Sequence, residues 1–502
     1  MLHVFHLDGG RMHNFDVSLS TETVLALQTE FSKVTRVPVA EQILLVSGGE
    51  ILLSKRPLSS YTGAGTESNP IFLIAKSAVV TPSSDASSLT QSDYKDELHQ
   101  LLKNAEEVEK EVEQWIGRAP SFTFLQCFAS TAKKIERSCQ ELVSACSQMV
   151  NEQHLLHQGW CSVVANLEDT FAAFFQHVER FRHKHIKSLQ YRREARNILI
   201  HFDDDIQLLK KVPLLPCLVN SIDLASSSSA SVSLSSSSIA VPPRAHLPGQ
   251  PLTLFDWISS KESEHSLLEF ADDVRSVIDE DSDSQVIGCI ERWHEYIKER
   301  AGAVDMKEIR GLGQRLVSLN EFLQSILKTK DAQSEYREYV TKQEQRVMSC
   351  GDKTVLDDVC SSVTQALHEM SMNQKRILDF LKRFYKAKLE LLESIRRRLA
   401  WVLDTHKEIQ IVDTKIMLYS ERVYKLRRQF ELLKQLHEAS ALYMMAAGEV
   451  VRRRNFSQEY TSWATRLMQA ATQVREEELQ RRKWFGRRLQ RHFLKSLFPG
   501  IK

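Results

Sequence analysis

The stretch ILDFLKRFYKAKLELLESIRRRLAWV, Ile377–Val402, decides how this chain is built. Ile377, Phe380, Leu381, Phe384, Ala387, Leu391, Ile395, Leu399 and Val402 recur in steps of three and four, the spacing that lines one stripe of an α-helix. The Lys, Arg and Glu residues between them are expected to face water. The pattern fills Val363–Val474 without a proline and with Gly448 as its one glycine, and it continues through Val423, Leu426, Phe430, Leu433 and His437. A helix of thirty residues is roughly 45 Å long, more than the diameter of a small globular domain. A rod with one apolar stripe must bury it against other rods, so the rest of the chain should supply them.

Upstream, Leu312, Leu316, Leu319, Leu323 and Ile326 keep the same rhythm. So do Leu98, Leu101, Ala105, Val108, Val112 and Trp115, and a long run from Phe122 to about Leu209 with aromatic residues crowded at 171–181. Pro120, Pro213 and Pro216 punctuate these blocks. Residues 77–92 are Ser- and Thr-rich and read as a linker, with a helix beginning near Asp93. Residues 213–252 read as a disordered Ser/Pro-rich loop open to phosphorylation. Asp279–Ser284 is a second polar break, and Gly351 marks a third.

Residues 1–76 differ from everything after them. Leu2–Leu7 reads as a strand, Asp8-Gly9-Gly10 as a turn and Met12–Val17 as a return strand. Val24, Leu25, Leu27, Phe31 and Val34 give a helix ended by Pro38. Ile43–Val46 and Ile71–Ile74 close a ββαβ…β roll of the ubiquitin-like kind. Ala75–Val80 carries no free Gly-Gly tail, so the domain is expected to dock or cap rather than to be conjugated. Two readings of it stand: an exposed sheet face that binds a partner, and a purely structural cap.

The fold class is therefore mainly α: an extended multi-helix scaffold with an N-terminal ubiquitin-like α+β domain. The expected segments are 1–76 (ubiquitin-like), 77–92 (linker), 93–212 and 253–480 (two parts of a helical scaffold, flanking the 213–252 loop) and 481–502 (basic and amphipathic).

The 502 residues carry a formal net charge of +1, so attraction to nucleic acid or membrane must come from a local patch. Eight cysteines without a C-x-x-C pair fit a reducing, intracellular compartment, with Cys139 and Cys146 as core thiols. No signal peptide and no membrane span is read from the sequence. No cofactor, metal ligand set or catalytic group is expected. Gly311-Leu312-Gly313 lacks the preceding strand of a phosphate cradle. Asp203–Asp205 reads as a solvated helix end, His183 and His185 as surface residues, and His437 as a core histidine.

Two candidate sites remain. Phe255, Trp257 and Ile258, beside Asp256, fit an aromatic-x-x-aliphatic motif that adds as a strand to ubiquitin-like modifiers. The competing and favoured reading docks Leu254, Trp257 and Ile258 back onto the helical body. Arg481, Arg482, Lys483, Arg487, Arg488, Arg491 and Lys495, interleaved with Trp484, Phe485 and Leu489 and free of acidic residues, read as a basic amphipathic helix. It either packs on the body with its stems snorkelling, lies on an anionic membrane, or meets nucleic acid, the last being the least favoured.

Leu45–Glu50 (LVSGGE), Tyr61–Thr66 (YTGAGT) and Asn69–Leu73 (NPIFL) resemble the N-terminal ubiquitin-like region of the retinoblastoma-inducible coiled-coil family, the animal autophagy scaffolds of the Unc-51-like kinase complex. Leu254–Ile258 (LFDWI), Glu449–Arg454 (EVVRRR) and Trp484–Arg487 (WFGR) resemble later segments of that family in the same order. The resemblance implies a non-catalytic scaffold, cytoplasmic and at the phagophore assembly site. Its implied partners are the Unc-51-like kinase and its autophagy adaptor subunits, together with a second copy in a homodimer; peripheral membrane contact fits, and no nucleic acid is expected. The family continues past this point into a coiled coil and a cargo-binding claw, so the chain is expected to be a fragment, a short isoform or an incomplete gene product. A kinase-associated regulatory subunit would need kinase motifs, which are absent from the sequence. A coiled-coil membrane tether without a kinase link remains as the alternative.

Overall fold

A computed structural model describes residues 1–76, 85–115, 120–215, 252–261, 267–279, 282–350 and 355–501. The chain divides into two compact units, the first formed by Met1–Phe181 with Gln285–Met417, the second by Arg182–Ser284 with Leu418–Lys502.

The first unit opens with β1 (Leu2–His6), β2 (Arg11–Phe15), α1 (Val24–Thr35), β3 (Gln42–Leu45) and β4 (Ile71–Ala75), in a sheet of order β2-β1-β4-β3. β1 pairs antiparallel with β2 and parallel with β4, while β3 runs antiparallel to β4. Alternation along the strands sends Leu2, Val4, Leu44, Ile71, Leu73 and Ala75 inward against Val24, Leu27 and Phe31 of α1. This core closes without any residue beyond Ala75. The ubiquitin-like roll is thus present.

Helices follow: α2 (Asp85–Trp115), α3 (Phe122–Ile200), α4 (Phe202–Lys211), α5 (Leu254–Lys261), α6 (Leu267–Asp279), α7 (Ser282–Ala301), α8 (Val304–Lys307), α9 (Leu312–Cys350) and α10 (Leu356–Gln490). α2 begins inside the stretch expected as linker, whose residues 77–84 lie outside the described residues, as do 216–251 of the Ser-rich loop, the centre of the 279–284 break and the break at Gly351.

Within the first unit, polar side chains fix how the helices run. Ser138 meets Gln374, Glu152 meets Lys388 and His177 meets Asp413, each pair 236 residues apart. A constant offset means that α3 and α10 run parallel and in step. Glu136 binds Arg337 and His154 meets Asn320, so α9 runs antiparallel to α3. Glu111 binds Lys134, while Ala105 O and Ser138 Oγ both accept from Gln374, so α2 is antiparallel to α3 as well. The helices thus go up, down, up and down, and their apolar stripes share one core. Ile377, Leu381, Phe384, Leu391, Ile395, Leu399 and Val402 are all buried, as the sequence spacing requires. Buried glutamines key the register: Gln333 donates to Met370 O at 2.6 Å, Gln374 to Ala105 O at 3.2 Å, and Gln153 to Phe384 O at 3.5 Å. Cys139 and Cys146 are fully buried, and desolvation pushes both thiols up to about 12, where they stay protonated and inert.

In the second unit the core joins Ala195, Phe202, Ile206, Leu209, Val274, Ile278, Leu426, Phe430 and Leu433. Two backbone bonds, Leu214 N to Leu252 O and Leu254 N to Val212 O, both 2.9 Å, pin residues 212–214 beside 252–254.

Three sequence expectations need correction. Ala387 is only half-buried, whereas Lys388, expected in water, is buried against Glu152 with Nζ 2.6 Å from Oε2. His437 is exposed rather than in the core, and its Nδ1 lies 2.6 Å from Asp205 Oδ2 in the first turn of α4. The basic segment is not one helix, because α10 stops at Gln490. His492 turns extended and its Nδ1 caps a 3-10 turn over Phe493–Leu497.

Candidate partner-binding surfaces

The motif Leu254–Ile258 forms the start of α5. Thr253 and Asp256 make a capping box: Asp256 Oδ2 accepts from the Thr253 N–H at 3.0 Å and from its hydroxyl at 2.6 Å. The acidic residue next to the aromatic one is thereby explained as part of a helix cap, a T-x-x-D signal local to the sequence. Leu254 is buried in the core of the second unit. Phe255 lies under Lys210 Nζ, 5.0 Å from the ring centroid. Trp257 and Ile258 line an apolar groove of about 300 Å³ with Phe270, Leu432, Leu436 and Ala439. Adding this segment to a partner as a strand would first require α5 to unwind.

Beyond Ser440, α10 changes character. Upstream most of its large apolar residues are buried, with exposed exceptions such as Ile411, Met417, Leu418 and Tyr424; from Leu442 to Phe485 the large ones, Tyr443 apart, are exposed. Phe456, Tyr460, Trp463 and Leu467 are between 55% and 62% exposed, and they follow in steps of four, three and four. Phe456 stacks on Tyr460 and Tyr460 leans on Trp463, both with centroids 6.0 Å apart. Ala470 and Val474 carry the same line onward. This is a heptad-like seam that no other element covers among the described residues.

The basic residues follow directly. Arg481, Arg482, Lys483, Arg487, Arg488, Arg491 and Lys495 are all exposed. Arg482 binds Glu478 at 2.8 Å and the Arg488 guanidinium covers Trp484 at 4.6 Å. The first five lie on α10, Arg491 in the turn after it and Lys495 in the 3-10 segment. The patch is therefore a helix end with a turn, brought together by sequence proximity alone.

The outer face of the N-terminal sheet is not open. Phe5, Leu7, Leu45, Phe72 and Ile74 point away from the domain's own core and are nonetheless buried. β4 reads Ile-Phe-Leu-Ile-Ala without alternation, the mark of a strand buried on both faces, and that signal was present in the sequence. The cover is α3 and α10. Gly159 sits under the sheet so closely that a Cβ there would lie 2.7 Å from both Leu7 Cδ1 and Phe72 Cδ1. At one edge Asn166 Nδ2 donates to Gly49 O at 2.9 Å; at the other, Arg396 Nε donates to Asp8 O at 2.8 Å.

The polar hollow around His177 and Asp413, about 390 Å³, also holds Thr170. The Thr170 hydroxyl donates to Asn166 O of its own helix at 2.8 Å, so the His-Asp pair has no poised nucleophile beside it. Among the described residues no group of three or more His, Cys, Asp or Glu is placed to hold a metal ion, and no helix is long and apolar enough to cross a membrane.

Comparison with known proteins adds a family to this geometry. The profile of the autophagy protein ATG17-like domain matches residues 101–491. The whole chain is also 24% identical to RB1-inducible coiled-coil protein 1 of Mus musculus and of Homo sapiens, over 567 aligned residues. It spans 35% of the length of these relatives.

Proposed function

The chain belongs to the autophagy protein ATG17-like domain family, and from that premise we propose that it is an autophagy scaffold, a non-catalytic subunit of the autophagy-initiating Unc-51-like kinase complex that gathers the kinase and its adaptor subunits in the cytoplasm at the site of autophagosome formation. The observation that carries this reading is the exposed apolar seam of α10. A scaffold needs surface that its own fold leaves uncovered, and Leu442 to Phe485 provides it within the family-matched region. Apolar area left in water at this density is an invitation to association.

A second copy of the chain is the natural cover for Phe456, Tyr460, Trp463 and Leu467, because identical seams at three-four spacing interdigitate. The basic patch from Arg481 to Lys495, next to the seam, serves peripheral contact with an anionic membrane. Phe255, Trp257 and Ile258 serve as an internal clasp between α5 and α10 rather than as a modifier-binding strand.

Co-purification tests the central reading. The full chain should retain the Unc-51-like kinase and its adaptor from a defined mixture of purified subunits. Vesicle binding without any retention of kinase or adaptor would replace it by the membrane-tether reading, which the basic patch favours.

A further inference from the structure

The ubiquitin-like domain is held to the helices by a surface that looks like an interface rather than the interior of one domain. Its own core closes within residues 2–75, so nothing in its folding requires the helices. Its outer sheet face instead meets one stripe of α3 at Gly159, Ser162 and Asn166, at steps of three and four, and the buried Leu155 continues that stripe one turn earlier. Glycine inside a helix costs about 1 kcal/mol relative to alanine. Gly159 is kept where any Cβ would strike Leu7 and Phe72. The close approach recurs at the rim. A Cβ on Gly49 would lie 2.5 Å from Asn166 N and 2.8 Å from Ser162 O. One on Gly10 would lie 3.3 Å from Leu392 Cδ1 and 3.4 Å from Lys388 Cε. Around this apolar centre runs a polar border: Asn166 to Gly49 O, Arg396 to Asp8 O, and Arg11 to Glu97 at 2.5 Å. An apolar centre with a polar border is the anatomy of a binding surface.

We propose that the outer face of the N-terminal sheet is a helix-binding surface that the chain keeps closed with residues 155–166 of its own α3, as a releasable latch. Its competing occupant is an amphipathic helix of the same chemistry: a Gly or Ala at the centre, an aliphatic residue one turn before it, and short polar residues one turn after. Such a helix binds only when the latch is open. Opening also uncovers Lys388, which lies beneath the β1–β2 turn, 5% exposed.

Wedges in the full-length chain test this. Gly49→Ala drives a methyl group into the α3 backbone, which cannot yield. Gly48→Ala is the control: the two glycines have φ +91° and +95°, so both variants strain the same turn, but a Cβ at Gly48 meets nothing within 4 Å. Gly159→Leu wedges from the helix side and leaves the domain's backbone untouched. The readouts are acylation of Lys388 by an N-hydroxysuccinimide acetate, followed by mass spectrometry, and binding of a labelled peptide spanning residues 151–170. Gly49→Ala and Gly159→Leu should raise the Lys388 labelling rate at least tenfold and gain peptide binding, while Gly48→Ala matches the parent chain. Hydrogen exchange at Leu27 and Phe31 should stay protected in both wedge variants. Lys388 protected in both wedges, labelling without peptide binding, or labelling accompanied by lost protection at Leu27 and Phe31 would each overturn the latch, the last by making the sheet and helices one inseparable core.

Discussion

Replacing Glu152 by Gln should destabilise the first unit far more than replacing both members of its ion pair. Lys388 and Glu152 are 5% and 2% exposed and 2.6 Å apart, so water contributes little to either charge. Removing one partner leaves a buried, uncompensated ion, at a cost of about 3–5 kcal/mol. The double variant Glu152→Gln with Lys388→Met removes both charges and keeps the volume; it should fall within ~1 kcal/mol of the parent or exceed it. The effect has a pH signature. Burial pulls the Lys388 ammonium below its ordinary 10.5, and Glu152 works against that pull. Without Glu152 the folded-state value drops further, so the folded chain sheds this proton at a pH where the unfolded chain still holds it. Stability then rises with pH through that interval, and the Glu152→Gln deficit should shrink as pH approaches 10.5. The assay is hydrogen exchange at Leu156–Leu167, adjacent on α3, between pH 7 and 9.5, with urea unfolding as a second measure. A Glu152→Gln cost below about 1 kcal/mol, or a deficit that stays flat with pH, would refute the claim that the pair is desolvated.

Further tests address the surfaces. Trp463 is 55% exposed; of its roughly 250 Å² about 140 Å² remains to be buried, worth ~3 kcal/mol per copy. Trp463→Glu should therefore shift a dimer seen by light scattering to monomer at micromolar concentration. Reversing Arg487, Arg488 and Arg491 to Glu should lower sedimentation with phosphatidylserine vesicles by about 100-fold or more, at roughly 1 kcal/mol per lost cation, and leave neutral vesicles unaffected. Phe255→Ala with Ile258→Ala should weaken the second unit by about 1–3 kcal/mol in urea and leave binding of a ubiquitin-like modifier unchanged. His13 is pulled down from 6.5 to about 4 by burial, by His6 and by Arg11. Its neutral form is the native one, so the N-terminal domain should hold its stability above pH 6.5 and lose roughly 3 kcal/mol as pH falls toward 4, a loss that His13→Gln removes.

The helical layout was legible because its cause is a repeat. Steps of three and four over Ile377–Val402 place a stripe on one face whatever the partner helix turns out to be. Which polar residues cross into that stripe was not legible. Lys388 sits one position from Ala387, within the angular width of the apolar face, and Glu152 opposite it offsets the cost of burying its charge. The reverse holds for His437, which is spaced as a core residue but drawn out by Asp205. The parallel pairing of α3 and α10 depends on residues 236 apart, a distance over which local pattern carries no information. The capping box at Thr253 and the unbroken apolar run in β4 are different: both signals are local, the first placing Leu254–Ile258 at a helix start and the second marking a sheet face that is covered.

Burial also sets one end of α10 apart from the rest of the helix. Before Ser440 and after it the helix has one periodicity and a similar composition, and a helix hydrogen-bonds its backbone internally in either setting. Burial is what divides them: Leu426, Phe430 and Leu433 are buried in the core of the second unit, whereas Phe456, Tyr460 and Trp463 touch one another and stay more than half exposed among the described residues. Folding does not demand the second set, so stability gives no reason for four large apolar residues to stand in register there. Their three-four spacing is a requirement of packing, and packing needs a second surface. A partner presenting a helix is the simplest object that satisfies both facts. A chain whose seam residues were scattered to polar types should therefore fold to the same two units and lose its assemblies, a separation of stability from association that an enzyme site, built on buried and strained groups, would not allow.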